Sequence, residues 1–402
     1  MNIKRVSLKV SPEASLRVSA ARQSTFIDMM EKEALVVLGS KRRPEVIQPA
    51  IAPGPTTLFG PRGACLTDEE GPFVVCDTGH HRLLGWSQLP EQDLTPADWF
   101  LGQKDFYSEG RNGHADIGPS TLNVPTGICA AGSGIAVGDA WNHRVLIWHK
   151  VPRRSNEPAD VVLGQKDFTH GESNRGTNQA NAGSMHWPYG VHYENGKLYV
   201  ADTGNRRVLV WNKMPHENGQ PADLVLGQTS FNSRDENAGF DPSAMSMRWP
   251  HGITFCKNNL CVSDAGNNRV LIWIGEPAEN GQPADFILGQ SDPQNVDFNR
   301  SLYWPRSNSL NMPYGITAKN DWLIIADTAN SRLLAWNISD FDTIGDALAL
   351  FGQKDFHEKG DNRWQAPVED SICWPYGVQA LKSLAVVADS GNNRVSVWKL
   401  KI

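Results

Sequence analysis

Six Pro-x-Gly tripeptides carry a variable residue at one recurring position: Arg62, Thr126, Tyr189, His251, Tyr314 and Tyr376. Such a set can stack aromatic and cationic faces, donate phenolic hydrogen bonds and, through the imidazole, exchange a proton near neutral pH. The residue before the proline is Trp187, Trp249 or Trp374 in three copies and Met312 in a fourth. An aromatic funnel with one His and one Arg has the make-up of a ligand mouth, apolar surface with a few placed polar groups. The alternative is that these rings fill space between packed elements, and residue types alone leave both open.

Other chemistry is sparse. The eleven histidines form no H-x-H or H-x-x-x-H pair. His186, His192 and His251 could converge, since the first two bracket one Pro-x-Gly and the third lies in the next, and three imidazoles would suit zinc. The matching positions in other copies are Cys, Thr, Asn and Gln, so no metal is assigned. A calcium cage needs carboxylates, and the strands opened by Pro-x-Gly carry almost none. No Ser-His-Asp signature, phosphate loop or dinucleotide fingerprint occurs. The expectation is therefore no catalytic set, no metal and no cofactor.

What must position these residues is a repeated hairpin. In Leu198 to Trp211 (LYVADTGNRRVLVW), two apolar runs flank a Gly/Asn/Asp cluster, a hairpin signal. Its Asp recurs as Asp77, Asp139, Asp202, Asp264, Asp327 and Asp389, at steps of 62, 63, 62, 63 and 62 residues. An Arg follows five residues later (Arg82 to Arg394) and a Trp four after that (Trp86 to Trp398). Repetition at such a period implies a solenoid, propeller or array. Six-fold recurrence also argues that the Asp, Arg and Trp are scaffold, since a catalytic site breaks symmetry.

A fourth strand follows each hairpin but the last, read from Phe100-Leu101-Gly102-Gln103 and its equivalents. A first copy, Ala34-Leu35-Val36-Val37-Leu38-Gly39, has no hairpin before it. Ring closure solves both ends, the early strand completing the last sheet and removing unpaired edges. The fold class is all-β, a six-bladed β-propeller of four-stranded antiparallel blades closed by an N-terminal strand in the last blade. Residues 1–32 read as an N-terminal extension, with Ile3 to Val10 a possible strand, and 33–402 as the propeller. Proline suits the first position of an inner strand, and the glycine permits close backbone approach in a narrow ring. Long Asn/Gly/Ser-rich stretches, such as Gln165 to Pro188, should share one face with the Asp-Thr-Gly-Asn turns and surround the channel mouth.

The recurring P-x-G-I … L-Y-V-A-D-T-G-N-x-R-V-x-V-W resembles the NHL repeat family. That resemblance implies a six-bladed propeller and spans nearly all of the chain after residue 33. NHL propellers serve as protein- or RNA-binding modules, and their relatives include an amidating lyase. Three functions follow as expectations. The leading one is a non-enzymatic protein-binding scaffold that uses the long loops, as an accessory subunit of a larger complex would. The next is a channel-centred lyase or hydrolase using His251 or His192 with Tyr189, Tyr314 and Tyr376. The third is RNA binding through Arg111, Arg175, Arg234, Arg300 and Arg363. A net charge of -6 and acidic neighbours in the same loops disfavour nucleic acid. A small molecule at the channel mouth stays open. No membrane span is expected, because no apolar run approaches about 18 residues. The N-terminus lacks the apolar core of a secretory signal, and no CxxC occurs among six cysteines, so a cytoplasmic site with reduced thiols is expected.

Overall fold

A computed structural model describes residues 26–43, 51–341 and 344–402. The candidate strand Ile3 to Val10 lies outside them. The described strands form six sheets, each a blade of a closed β-propeller, numbered I to VI in the chain order of Pro61, Pro125, Pro188, Pro250, Pro313 and Pro375. Blade III shows the unit: Pro188–Glu194 innermost, then Lys197–Asp202, Arg207–Trp211 and Leu224–Leu226, all antiparallel. The third strand, RVLVW, is buried at every position, although strands with one wet face alternate polar and apolar. Each blade is covered by a neighbour on both sides, so both faces of its middle strands must be apolar.

Blade VI is sewn from both ends of the chain. Pro375–Leu381, Leu384–Asp389 and Arg394–Lys399 are followed in the sheet by Val36–Leu38, with Val36 opposite Val397 and Leu38 opposite Val395. Arg42 locks the seam, its Nε 2.5 Å from Asp93 Oδ2 and its Nη1 2.5 Å from Glu369 Oε1. Upstream, Ile27–Asp28 adds a parallel fifth strand to the outside of blade V, and Met30 bridges Leu400. Met29 and Met30 are buried there. Nothing repetitive in the sequence announced this outer strap.

Glycine closes the inner ring. A Cβ on each Pro-x-Gly glycine would meet the carbonyl oxygen of the next blade's variable residue, at 2.5 Å for Gly252 against Tyr314 and 2.9 Å for Gly315 against Tyr376. Gly190 faces the carbonyl of His251 more closely still, and Gly377 faces that of Arg62 at 2.6 Å, completing the circle across the seam. Only a residue without a side chain fits where neighbouring inner strands converge this far.

The Asp–Arg pairs pin the long loops. Arg207 Nε donates to Asp202 Oδ2 at 2.8 Å, Nη1 donates to the Phe231 carbonyl, and Nη2 donates to those of Asn181 and Ser184. All six pairs are buried, with Arg Nε 2.7–3.0 Å from the carboxylate. Five loops also send an Asn to the next turn: Asn112 to Asn142, Asn174 to Asn205, Asn237 to Asn267, Asn299 to Asn330 and Asn362 to Asn392. The long loops and the hairpin turns therefore lie on one face and are fastened together. The six hairpin Trp side chains are buried, which gives them the packing role their regularity suggested.

Blade I differs at one fastening. Where other blades place an Asn against the Asp, it has His80, whose Nδ1 lies 2.8 Å from Asp77 Oδ2 and whose Nε2 lies 2.8 Å from the Ile51 carbonyl. Burial opposes protonation, but two facing acceptors and the Asp77 charge outweigh it and raise the His80 pKa above its ordinary value. A raised folded-state pKa stabilises fully below the unfolded value of about 6.5, and that contribution fades as pH rises through the folded value. His80→Asn should therefore lose more stability at about pH 6 than at about pH 8.5. Urea midpoints of the two proteins that stay parallel across that range would contradict this.

Candidate functional site

The variable residues of Pro-x-Gly meet as one layer across the channel. Arg62 Nη1 donates to the Tyr189 hydroxyl at 2.8 Å. Its guanidinium carbon sits 4.7 Å from the Tyr376 ring centroid and 5.7 Å from that of Tyr189. His251 lies 4.1 Å from Tyr314 and 4.3 Å from Tyr189, ring to ring, and Tyr314 lies 4.7 Å from Tyr376. Each side chain stands at the start of an inner strand, so their convergence follows from ring closure. The result is a plug of stacked rings around one guanidinium.

Burial sets the plug's electrostatics. It pushes His251 down to about 3, while the ring donates Nδ1–H to the Trp249 carbonyl at 2.9 Å. Burial also pushes Tyr314 up to about 12 and raises Tyr189 further. The Tyr189 phenol, foremost, raises Arg62. At neutral pH His251, Tyr189 and Tyr314 are therefore neutral, and Arg62 is a cation among them. Thr126 is the exception in the layer, its hydroxyl donating to the Tyr189 carbonyl at 3.0 Å. A channel of about 350 Å³ runs from the plug along the inner strands, past His192 and Phe255. On the loop side, a second cavity of about 320 Å³ opens over the gap that Thr126 leaves.

The predicted tryptophans stand around this loop-side mouth. Trp187, Trp249 and Trp374 are 48%, 40% and 50% exposed. Trp187 and Trp249 line the cavity, together with Tyr189, His251 and Tyr314, whereas Trp374 lies outside its lining. The three histidines do not come together. His186 is at the mouth beside Trp187, His251 is in the plug, and His192 lies deeper, stacked on Phe255 at 5.8 Å. Among the described residues, no three His, Cys, Asp or Glu side chains gather closely enough to hold a metal ion.

Two mouth residues escaped the sequence reading. Trp141 is 44% exposed and lines the cavity from the turn of blade II. It replaces the glycine found at Gly79, Gly204, Gly266 and Gly391. At those four a Cβ would strike Phe59, His186, Arg248 or Cys373, two residues before the proline. Blade II has Asn123 there, as blade V has Asn311 beside Ala329, and these are the two turns that do without the glycine. The departure from Gly was the available signal.

The second is Arg206. One residue per turn adopts the left-handed conformation: His81, His143, Arg206, Asn268, Ser331 and Asn393, with φ of 51–56°. Five of them accept a hydrogen bond from the N–H just before the next blade's proline, as His143 Nδ1 does from Trp187 at 3.1 Å. Accepting at Nδ1 requires that nitrogen to be unprotonated, in keeping with burial pushing His143 down to about 4. Arginine has no acceptor. The N–H of Trp249 turns instead to Asp264 Oδ1 at 3.2 Å, which it shares with Arg248. Gly60, Val124, Trp187, Met312 and Trp374 have positive φ at the matching position, and Trp249 does not.

Among known proteins, the NHL repeat family matches residues 247–273. NHL repeat-containing protein 2 of Homo sapiens is 21% identical over 374 residues, covering 86% of this chain and 47% of its own length. The chain thus spans about half the length of that curated relative. Similar solved structures include a structural genomics protein of unknown function from Bacteroides thetaiotaomicron, at 11% identity and a TM-score of 0.48, with 86% of this chain and 70% of that one covered. The WD40 β-propeller domain of Doa1 matches at 10% identity and a TM-score of 0.45, with coverage of 92% and 97%.

Proposed function

With the chain being an NHL-repeat six-bladed β-propeller, we propose that it is a non-enzymatic binding scaffold, an accessory component that engages a protein partner through its loop face. The observation that carries this reading is a set of half-exposed tryptophans: Trp187, Trp249 and Trp374, held on loops that buried arginines fix in place, and Trp141 on a hairpin turn beside them. Exposed aromatic side chains on rigid supports are what interfaces use as anchors. In the plug, Arg62 donates to the Tyr189 hydroxyl and His251 Nδ1 to the Trp249 carbonyl, so both groups are partly committed to the scaffold. The loop cations also give little support to RNA: Arg175, Arg300 and Arg363 donate to the carbonyls of Gly164, Gly289 and Gly352. A cytoplasmic location belongs to this proposal, and the burial of four of the six cysteines as free thiols supports it. Among the described residues no helix is long and apolar enough to cross a membrane.

Affinity capture with the full chain should recover one protein in stoichiometric amount. Replacing Trp187, Trp249 and Trp374 together by Ala should abolish recovery, at about 2 kcal/mol or more per anchor. The variant's unfolding midpoint should not move, because these side chains bury little core. Undiminished recovery by the triple variant would overturn the reading.

A further inference from the structure

Arg206 breaks a rule that the other five blades keep. It forgoes the acceptor that Trp249 would otherwise use, and its own Nε is buried without a partner. Its Nη1 is tied to the carbonyls of Gly204 and Arg234 at 3.0 and 3.2 Å. Local rules are broken at a cost where function needs it. The cavity lies at this break, and Arg206, Arg234, His186, Trp141, Trp187 and Trp249 are among its lining residues.

The lining has one sign. Arg62, Arg206 and Arg234 contribute guanidinium groups, and no carboxylate takes part. Arg206 and Arg234 both stand close enough to His186 to lower its pKa, with burial the larger cause. Nδ1 of His186 is also buried without a partner. An unpaired buried guanidinium donor, beside a second guanidinium and flat aromatic walls, asks for an anion attached to an apolar or aromatic body. A volume of about 320 Å³ suits one or two side chains.

We propose that this cavity docks an acidic segment of the protein partner, with an Asp or Glu carboxylate on Arg206 and Arg234 and an adjacent aromatic side chain against Trp187 and Trp249. The inference rests on the loop face being a protein-binding surface, and it names the chemistry recognised there.

The test uses the full chain and an array of synthetic decapeptides in which one Asp or Glu neighbours one Phe or Trp. Each peptide has a twin with Asn or Gln in place of the acid, and decamer RNA is titrated alongside. Acidic members should be retained at least about tenfold more tightly than their twins, corresponding to about 1.4 kcal/mol. Arg206→Asn should remove that preference. It restores the residue type that accepts the N–H in blades IV and VI, so the fold should be kept or strengthened. Arg234→Gln should weaken retention in the same direction. Equal retention of acids and amides, a preference for RNA, or no retention of any peptide would each overturn the proposal. If Arg206→Asn still captures the partner while the triple Trp variant does not, the pocket assignment fails and the loop-face reading survives. If the triple variant captures it too, the loop-face reading fails with it.

Discussion

Arg207→Met should destabilise the protein by about 3–5 kcal/mol, the cost of leaving a buried charge without its partner. The substitution removes four donated hydrogen bonds at once, one to Asp202 and three to carbonyls of two different loops. Asp202 would keep its bonds from Asn205 and from the N–H of His186, at 2.7 Å each, and would remain buried. Removing the acid as well, in Asp202→Leu with Arg207→Met, should not restore stability, because the carbonyls of Asn181, Ser184 and Phe231 stay orphaned. Arg207→Lys should fall between, since a compact ammonium cannot reach four acceptors in a fork. Urea unfolding reads these costs. Limited proteolysis should show new cleavage in residues 169–186, the loop the guanidinium fastens. A loss under about 1 kcal/mol would mean that the pair is replaceable by packing alone.

Removing residues 1–38 should prevent the ring from closing and abolish cooperative unfolding. Val36, Val37 and Leu38, with Met29 and Met30, are buried to 4% exposure or less. At roughly 1.5–3 kcal/mol for each such side chain, their loss approaches about 8–15 kcal/mol as an upper bound, comparable with the whole stability of a domain. Blade VI would also present an unpaired edge at Val395 to Val397, a template for aggregation. Appending residues 26–43 after Ile402 through a flexible linker should restore a monomeric, cooperative fold, because the strand's partners do not depend on chain order. Calorimetry and light scattering distinguish these outcomes. A soluble, cooperatively unfolding truncation would show that the seam is dispensable.

Blade number, strand order and closure were legible because each was written six times, and Asp202, Arg207 and Trp211 need only be aligned with their copies. The glycine of Pro-x-Gly was legible too, as a steric demand with one chemical answer. The plug was legible only as a set of positions. Nothing local tells that Arg62 reaches Tyr189 and Tyr376, 127 and 314 residues away, because that contact exists only after the ring has closed. The loop fastenings were legible in principle, since Asn112, Asn174, Asn237, Asn299 and Asn362 each stand nine residues after the Gln of their strand. Reading these stretches as Asn-rich composition hid that spacing. Trp141 and Arg206 were missed for the opposite reason, because the repeat drew the eye to what recurs, and both matter by failing to recur. Ile27 to Met30 carried no copy of itself elsewhere, so their place along blades V and VI could not be inferred.

The pairing of Val36 with Val397 also sets a schedule for biosynthesis. Some 360 residues separate the partners, so at about 5–20 residues per second the early strand waits about 20–70 s for its mate to be translated. Throughout that interval Val36, Val37 and Leu38 are apolar and unsatisfied, and blade I has no neighbour on its far side. The nascent protein should therefore interact with ribosome-associated chaperones until its last sheet emerges from the exit tunnel.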